Sequence, residues 1–169
     1  VREGTQTKYQ VRFGWGAAGA RRVAVGAHLV VWVDVLPGLE ARHTPAPEPD
    51  GFEVLTVGLE DGSVVAERVM RLQTELGDRC VVAVVAADPH FAVEDLLGAG
   101  NVVDAPVSAG VDHTSPEAAA ACAAWTGLQR AAKHLVSASE HGLELVSAGR
   151  SDLVDRAVGR PGREHTAGA

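Results

Sequence analysis

Two runs, His28-Leu-Val-Val-Trp-Val-Asp-Val-Leu36 and Cys80-Val-Val-Ala-Val-Val-Ala-Ala87, are apolar at almost every position and dominated by β-branched or small side chains. A strand with one wet face alternates apolar and polar residues. A strand covered on both faces does not, and such strands belong to parallel sheets sandwiched between helices. The two runs therefore restrict this chain to folds in which helices cover both sides of a sheet. The single charge in the first run, Asp34, falls near its C-terminal end, where α/β sheets place ligands.

The intervening residues supply the rest of the alternation. Tyr9-Gln-Val-Arg-Phe13 and Phe52-Glu-Val-Leu-Thr-Val57 read as further strands. Ala17 to Ala27 reads as a short helix, with Ala17, Ala20, Val23 and Ala24 at helical spacing. A second helix starts near Ser63, carries Val65, Val69, Leu72 and Leu76 on one stripe, and stops at Gly77. Asp88-Pro89 has the form of an N-cap and first-turn proline for a helix that carries Glu94 and Asp95. This strand-helix order predicts a three-layer α/β/α fold with a mostly parallel sheet.

The last third is predicted helical. Ser115-Pro116-Glu117 opens a helix that runs through Ala118, Ala121, Cys122, Trp125, Leu128 and on to His134-Leu135, followed by shorter pieces over Ala138 to Val146 and Asp152 to Ala157. Between the strands, Pro37 to Gly51 holds Pro37, Pro45, Pro47 and Pro49, which resist helix and ladder alike and mark a loop or linker. We expect one domain over residues 1–159 and a frayed tail over 160–169.

A formal net charge of -7 and a pI of about 5.4 speak against a nucleic-acid surface or an anionic membrane as partner. Cys80 and Cys122 lie in apolar or alanine-rich surroundings without metal or redox spacing, and the chain start lacks the apolar core of a signal peptide. Together these suggest a reduced, cytoplasmic setting. Small-molecule chemistry or protein contact fits this balance.

Three groups of residues are candidates for chemistry. Glu94-Asp95 places adjacent carboxylates on an apolar turn that runs into Gly98-Ala-Gly100, and acids in such surroundings need water or a cation. Adjacent helical positions diverge by about 100°, so both acids need not face one site. Gly98 and Gly100 suit either close helix packing or a close approach to a ligand. Gly14-x-Gly16-x-x-Gly19 fits the dinucleotide fingerprint, with Asp34 at the distance of a ribose-binding acid, although Trp15 puts an indole inside the turn. His90, beside Asp88, is placed for acid–base work or a helix start. His113, His134 and His141 show no ligand spacing and read as surface or partly buried side chains. Trp125 reads as a core or subunit-interface anchor.

Taken in order, Val11-Arg-Phe-Gly-Trp-Gly-Ala-Ala-Gly-Ala20, Val30-Val-Trp-Val-Asp-Val-Leu36, Ala92-Val-Glu-Asp-Leu-Leu-Gly-Ala-Gly100 and Gly142-Leu-Glu-Leu-Val-Ser-Ala-Gly149 resemble the 2-phosphosulfolactate phosphatase family. The resemblance implies a three-layer α/β/α architecture and Mg²⁺-dependent hydrolysis of a small phosphorylated acid. It implies Asp34, Glu94 and Asp95 as metal ligands, Asp34 and Asp95 as catalytic residues, and Gly98 and Gly100 beside the substrate. The family's middle region, with Asn-Ser-Pro-like and Thr-Asn-Gly-Thr-like motifs, has no counterpart here. Pro37 to Gly51 stands in its place. The alternatives are a non-catalytic relic of the fold that self-associates through the surface left bare, and a nucleotide-binding domain.

Overall fold

The computed structural model describes residues 6–36 and 44–160. Strands β1 (Val11–Trp15), β2 (Leu29–Val33), β3 (Glu53–Val57) and β4 (Val82–Ala86) form one parallel sheet in the order β1-β4-β2-β3. Helix α1 (Gly16–Val23) lies on one face, against β1 and β4. Helices α2 (Gly62–Leu76), α3 (Val93–Ser108) and α4 (Pro116–Leu128) form the layer on the other face, and α5 (Ala132–Ala138), α6 (Glu140–Ser147) and α7 (Ser151–Ala157) complete the helical last third. The fold is the α/β class that the two apolar runs predict.

Those runs are the two central strands, and every residue of β2 and β4 is buried. Leu29, Val31, Val33, Val82, Val84 and Ala86 face the α2–α4 layer, while Val30, Trp32, Ala83 and Val85 face α1. Each fully buried valine or leucine contributes roughly 1.5–3 kcal/mol of transfer free energy, so both faces drive assembly.

Local differences from the sequence reading have physical causes. Strand β1 runs on through Gly14, because Gly14 and Gly19 pack backbone to backbone: a Cβ on Gly19 would lie 2.9 Å from the Gly14 carbonyl carbon. Asp88 does not cap α3, which begins at Val93 after Ala92. Its Oδ1 instead accepts from the His90 amide at 2.8 Å, a local turn that competes with capping. Ser115 does cap α4, accepting from the Ala118 amide at 3.1 Å. The long helix expected after it breaks at a 3₁₀ turn over Gln129–Ala131, just past Gly127, where helix propensity is poor by about 1 kcal/mol. Residues 37–43 of the proline-rich segment and 161–169 of the expected tail lie outside the described residues, while Thr44 to Gly51 form neither helix nor strand. Among the described residues no helix is long and apolar enough to cross a membrane.

Candidate functional site

All strands being parallel, their C-terminal ends share one edge of the sheet. Asp34 and Val35 follow β2 there, Asp88 follows β4, and α3 begins beside them. Asp95, in the first turn of α3, joins these segments: its Oδ1 accepts from the Val35 amide at 3.0 Å and its Oδ2 from the Asp88 amide at 3.2 Å. One carboxylate thus fastens the ends of both central strands to a helix N-terminus.

This position loads Asp95 electrostatically. Burial pushes its carboxyl from the ordinary 3.8 up to about 7; the Val35 and Asp88 amides oppose that rise, and the neighbouring charges of Glu94 and Asp34 add to it. Asp34 is partly exposed at the same edge. Glu94 points elsewhere, as the helical divergence of adjacent positions allows. It is 2% exposed, and its Oε1 lies 3.1 Å from His141 Nδ1 in the first turn of α6.

The three acids implied as a metal cage therefore do not act as one set. Among the described residues, no three His, Cys, Asp or Glu side chains stand together so as to hold a metal ion. A hard divalent cation needs less, since Mg²⁺ often takes one or two carboxylates and completes its shell with water and substrate oxygens. Asp34 and Asp95 fit that smaller requirement in chemistry: Asp34 is partly exposed, and each Asp95 oxygen, having accepted one amide, retains a lone pair.

Gly98 and Gly100 hold α3 in place. A Cβ on Gly98 would lie 2.8 Å from methyl groups of both Val33 and Val35, and one on Gly100 would lie 2.6 Å from Trp125 Cβ and collide with the Ala121 carbonyl. The pair lets α3 touch β2 on one side and α4 on the other. Trp125, 7% exposed against Gly100, is a core residue.

His141 corrects the sequence reading. Read from the sequence as a surface or partly buried side chain, it is buried and paired with Glu94, and the available signal is its helical spacing from Leu145, which is fully buried on the same face of α6. Glu94 and His141 line a small pocket of about 180 Å³ with Asp88, Phe91, Ser139 and Glu140. A larger cleft of about 580 Å³ lies on the opposite face of the sheet, between α1 and the segment around Pro45 to Phe52, with Trp32 in its lining.

The dinucleotide fingerprint is realised only in part. Gly16 has φ +57° and Gly19 packs on β1, as the motif requires, but a Cβ at Gly16 would meet Pro89 Cα at 2.8 Å. Pro89 therefore fills the approach that the second glycine opens for a pyrophosphate. Strand β4 also lies between β1 and β2, so Asp34 is two strands away from the glycine turn rather than beside it. These features remove the basis for the nucleotide reading.

No family model matches the chain. A curated protein named probable 2-phosphosulfolactate phosphatase, from Synechococcus sp. (strain WH7803), is 31% identical over 99 residues, or 59% of this chain and 39% of that protein. The chain thus spans well under half the length of the relative it matches.

Proposed function

We propose that this chain carries a phosphate-monoester hydrolase site of the 2-phosphosulfolactate phosphatase type, built on Asp34 and Asp95. The observation that supports it best is their convergence at the C-terminal ends of the two central strands, beside the first turn of α3. The similarity to the Synechococcus protein points the same way and names the substrate, 2-phosphosulfolactate, to be tried first.

In this reading Asp34 and Asp95 hold Mg²⁺. The ion, when bound, supplies positive charge against the phosphoryl oxygens, on which such transfers largely depend. The chain's own part is positional. Asp95, tied to the Val35 and Asp88 amides, keeps the two strand ends in register with α3, and Gly98 and Gly100 keep that helix close. A dication would also offset the mutual repulsion of Asp34, Glu94 and Asp95. The family motifs absent between Leu36 and Phe52 are those expected to grip the phosphate, and each lost donor costs on the order of a hundredfold in rate. Turnover is accordingly expected to be slow.

The test is phosphate release from 2-phosphosulfolactate and 4-nitrophenyl phosphate, with MgCl₂ and then with EDTA. Metal-dependent release that Asp34→Asn lowers by about a hundredfold or more supports the reading. No release at any Mg²⁺ concentration sinks it. A second reading, self-association without catalysis, draws on β3, a partly exposed edge strand whose neighbour among the described residues is β2 alone. Sedimentation as a monomer removes that second reading.

A further inference from the structure

The two faces of the sheet are covered unequally. Among the described residues, the long helices α2, α3 and α4 lie on one face, and the other carries only the eight-residue α1, packed on β1 and β4. Beside α1, the exposed flank of β2 is roofed by the irregular chain over residues 45–52 instead of a second helix. Between helix and chain remains the cleft of about 580 Å³, a volume in the range of small-molecule sites.

Its depth has a cause in the sequence. Ala17, Ala20 and Ala24 line it from α1 and its C-terminal cap, so that wall ends at methyl groups, while Trp32 of β2 and Phe52 supply rings. Both walls are fixed without a ligand. The buried Arg12 donates to the Val23 and Val25 carbonyls at 3.0 and 2.6 Å and holds the turn after α1. On the other side the Glu53 amide donates to the His28 carbonyl at 2.9 Å, where the irregular chain enters β3, and Pro45 and Pro47 restrict that chain further. Binding to a cleft already formed costs little ordering.

Charge narrows the choice of ligand. Arg21 stands on the α1 wall, and Glu48 and Asp50 come from the irregular chain that forms the other wall. All three side chains are exposed, and among the described residues none forms an ion pair or a side-chain hydrogen bond, so a ligand reaches them without breaking a contact. A simple anion would suit Arg21 but meet two carboxylates, and a simple cation would suit the carboxylates but meet Arg21. A zwitterion suits both walls. The rings of Trp32 and Phe52 with the alanine methyls favour an aromatic body. We propose that this cleft binds a small aromatic zwitterion, an aromatic amino acid or a close analogue, with its carboxylate on Arg21, its ammonium on Glu48 or Asp50, and its ring against Trp32 and Phe52. The cleft lies on the opposite face of β2 from Asp95 and α3, so the proposal is independent of the phosphatase reading.

Isothermal titration of the full chain with L-phenylalanine, phenylpropionate, phenethylamine and L-alanine tests each part, because the second compound lacks the ammonium, the third the carboxylate and the fourth the ring. L-Phenylalanine should bind saturably, about tenfold or more tighter than phenylpropionate or phenethylamine, and L-alanine should give no heat of binding. Arg21→Gln should erase the advantage over phenethylamine, and Glu48→Gln combined with Asp50→Asn the advantage over phenylpropionate. These side chains are exposed, so the fold tolerates the changes. Ala24→Leu, which fills the cleft, should abolish binding. The proposal is overturned if L-phenylalanine gives no saturable heat up to about 10 mM, or if either singly charged analogue binds as tightly. A dimer in sedimentation that Ala24→Leu splits also overturns it, by giving the cleft to a second copy of this chain.

Discussion

Two buried charges on opposite faces of the sheet are treated in opposite ways. Arg12, on β1, is 3% exposed, and its guanidinium donates to the backbone carbonyls of Tyr9, Thr7, Val23 and Val25 at 2.6 to 3.0 Å. It ties the approach to β1 to the end of α1, where helix carbonyls favour a cation. Burial lowers its pKa, and among the described residues no neighbouring charge contributes. Asp95 is as deeply buried, yet accepts only two amides and faces the like charges of Glu94 and Asp34. A buried charge surrounded by satisfied partners is a brace. One with two amides for partners and like charges beside it is instead pushed by burial towards its protonated form.

The contrast can be broken most directly at Arg12. Arg12→Met should strand four carbonyls and cost about 3–5 kcal/mol, read as a lowered urea midpoint, because removing one side of a buried polar network leaves the other uncompensated. A loss under 1 kcal/mol would mean that water replaces the guanidinium readily and that Arg12 is no brace.

Asp95 should respond to pH instead. Its carboxyl is raised in the fold to about 7 from the ordinary 3.8, so the folded protein binds that proton more tightly than the unfolded chain. This contribution is complete below pH 3.8 and is lost as pH rises through about 7. In EDTA, unfolding free energy should therefore fall across that window by on the order of a few kcal/mol, and Asp95→Asn should flatten the slope. A slope that survives in Asp95→Asn assigns the titration to another group. Mg²⁺ sharpens the same comparison: saturation at a hundred times its Kd should add about 2.7 kcal/mol to wild type at pH 8, and nothing to Asp34→Asn. The smallest effect belongs to Arg68, whose pairs with Glu53 and Glu75 lie at the surface. Arg68→Ala should cost under about 1 kcal/mol and respond to salt.

How far the sequence could be read follows from the range of the interactions involved. Strands β2 and β4 were legible because burial on both faces is written in consecutive residues, and α4 because Ser115-Pro116 is a local start signal. Glu94 and Asp95 stood out for the same reason. What they do was not legible: the partners of Asp95 are the amides of Val35 and Asp88, and that of Glu94 is His141, all brought in by the tertiary fold. Arg12 could not be recognised as buried, since its partners are carbonyls that carry no residue-type signal. The fingerprint at Gly14, Gly16 and Gly19 misled because it describes one strand, one turn and one helix. The neighbour of β1 in the sheet is decided by residues far along the chain.

That neighbour is β4, which pairs with β1 on one side and β2 on the other. Until residues 82–86 have been made, β1 and β2 have no strand to join them, and neither β1 with α1 nor the β2-β3 pair has a sheet large enough to stand alone. The sheet closes by insertion of its last strand between earlier ones, a step of long loop closures that favours slow folding. A nascent or truncated chain ending before Val82 should behave as an unfolded one.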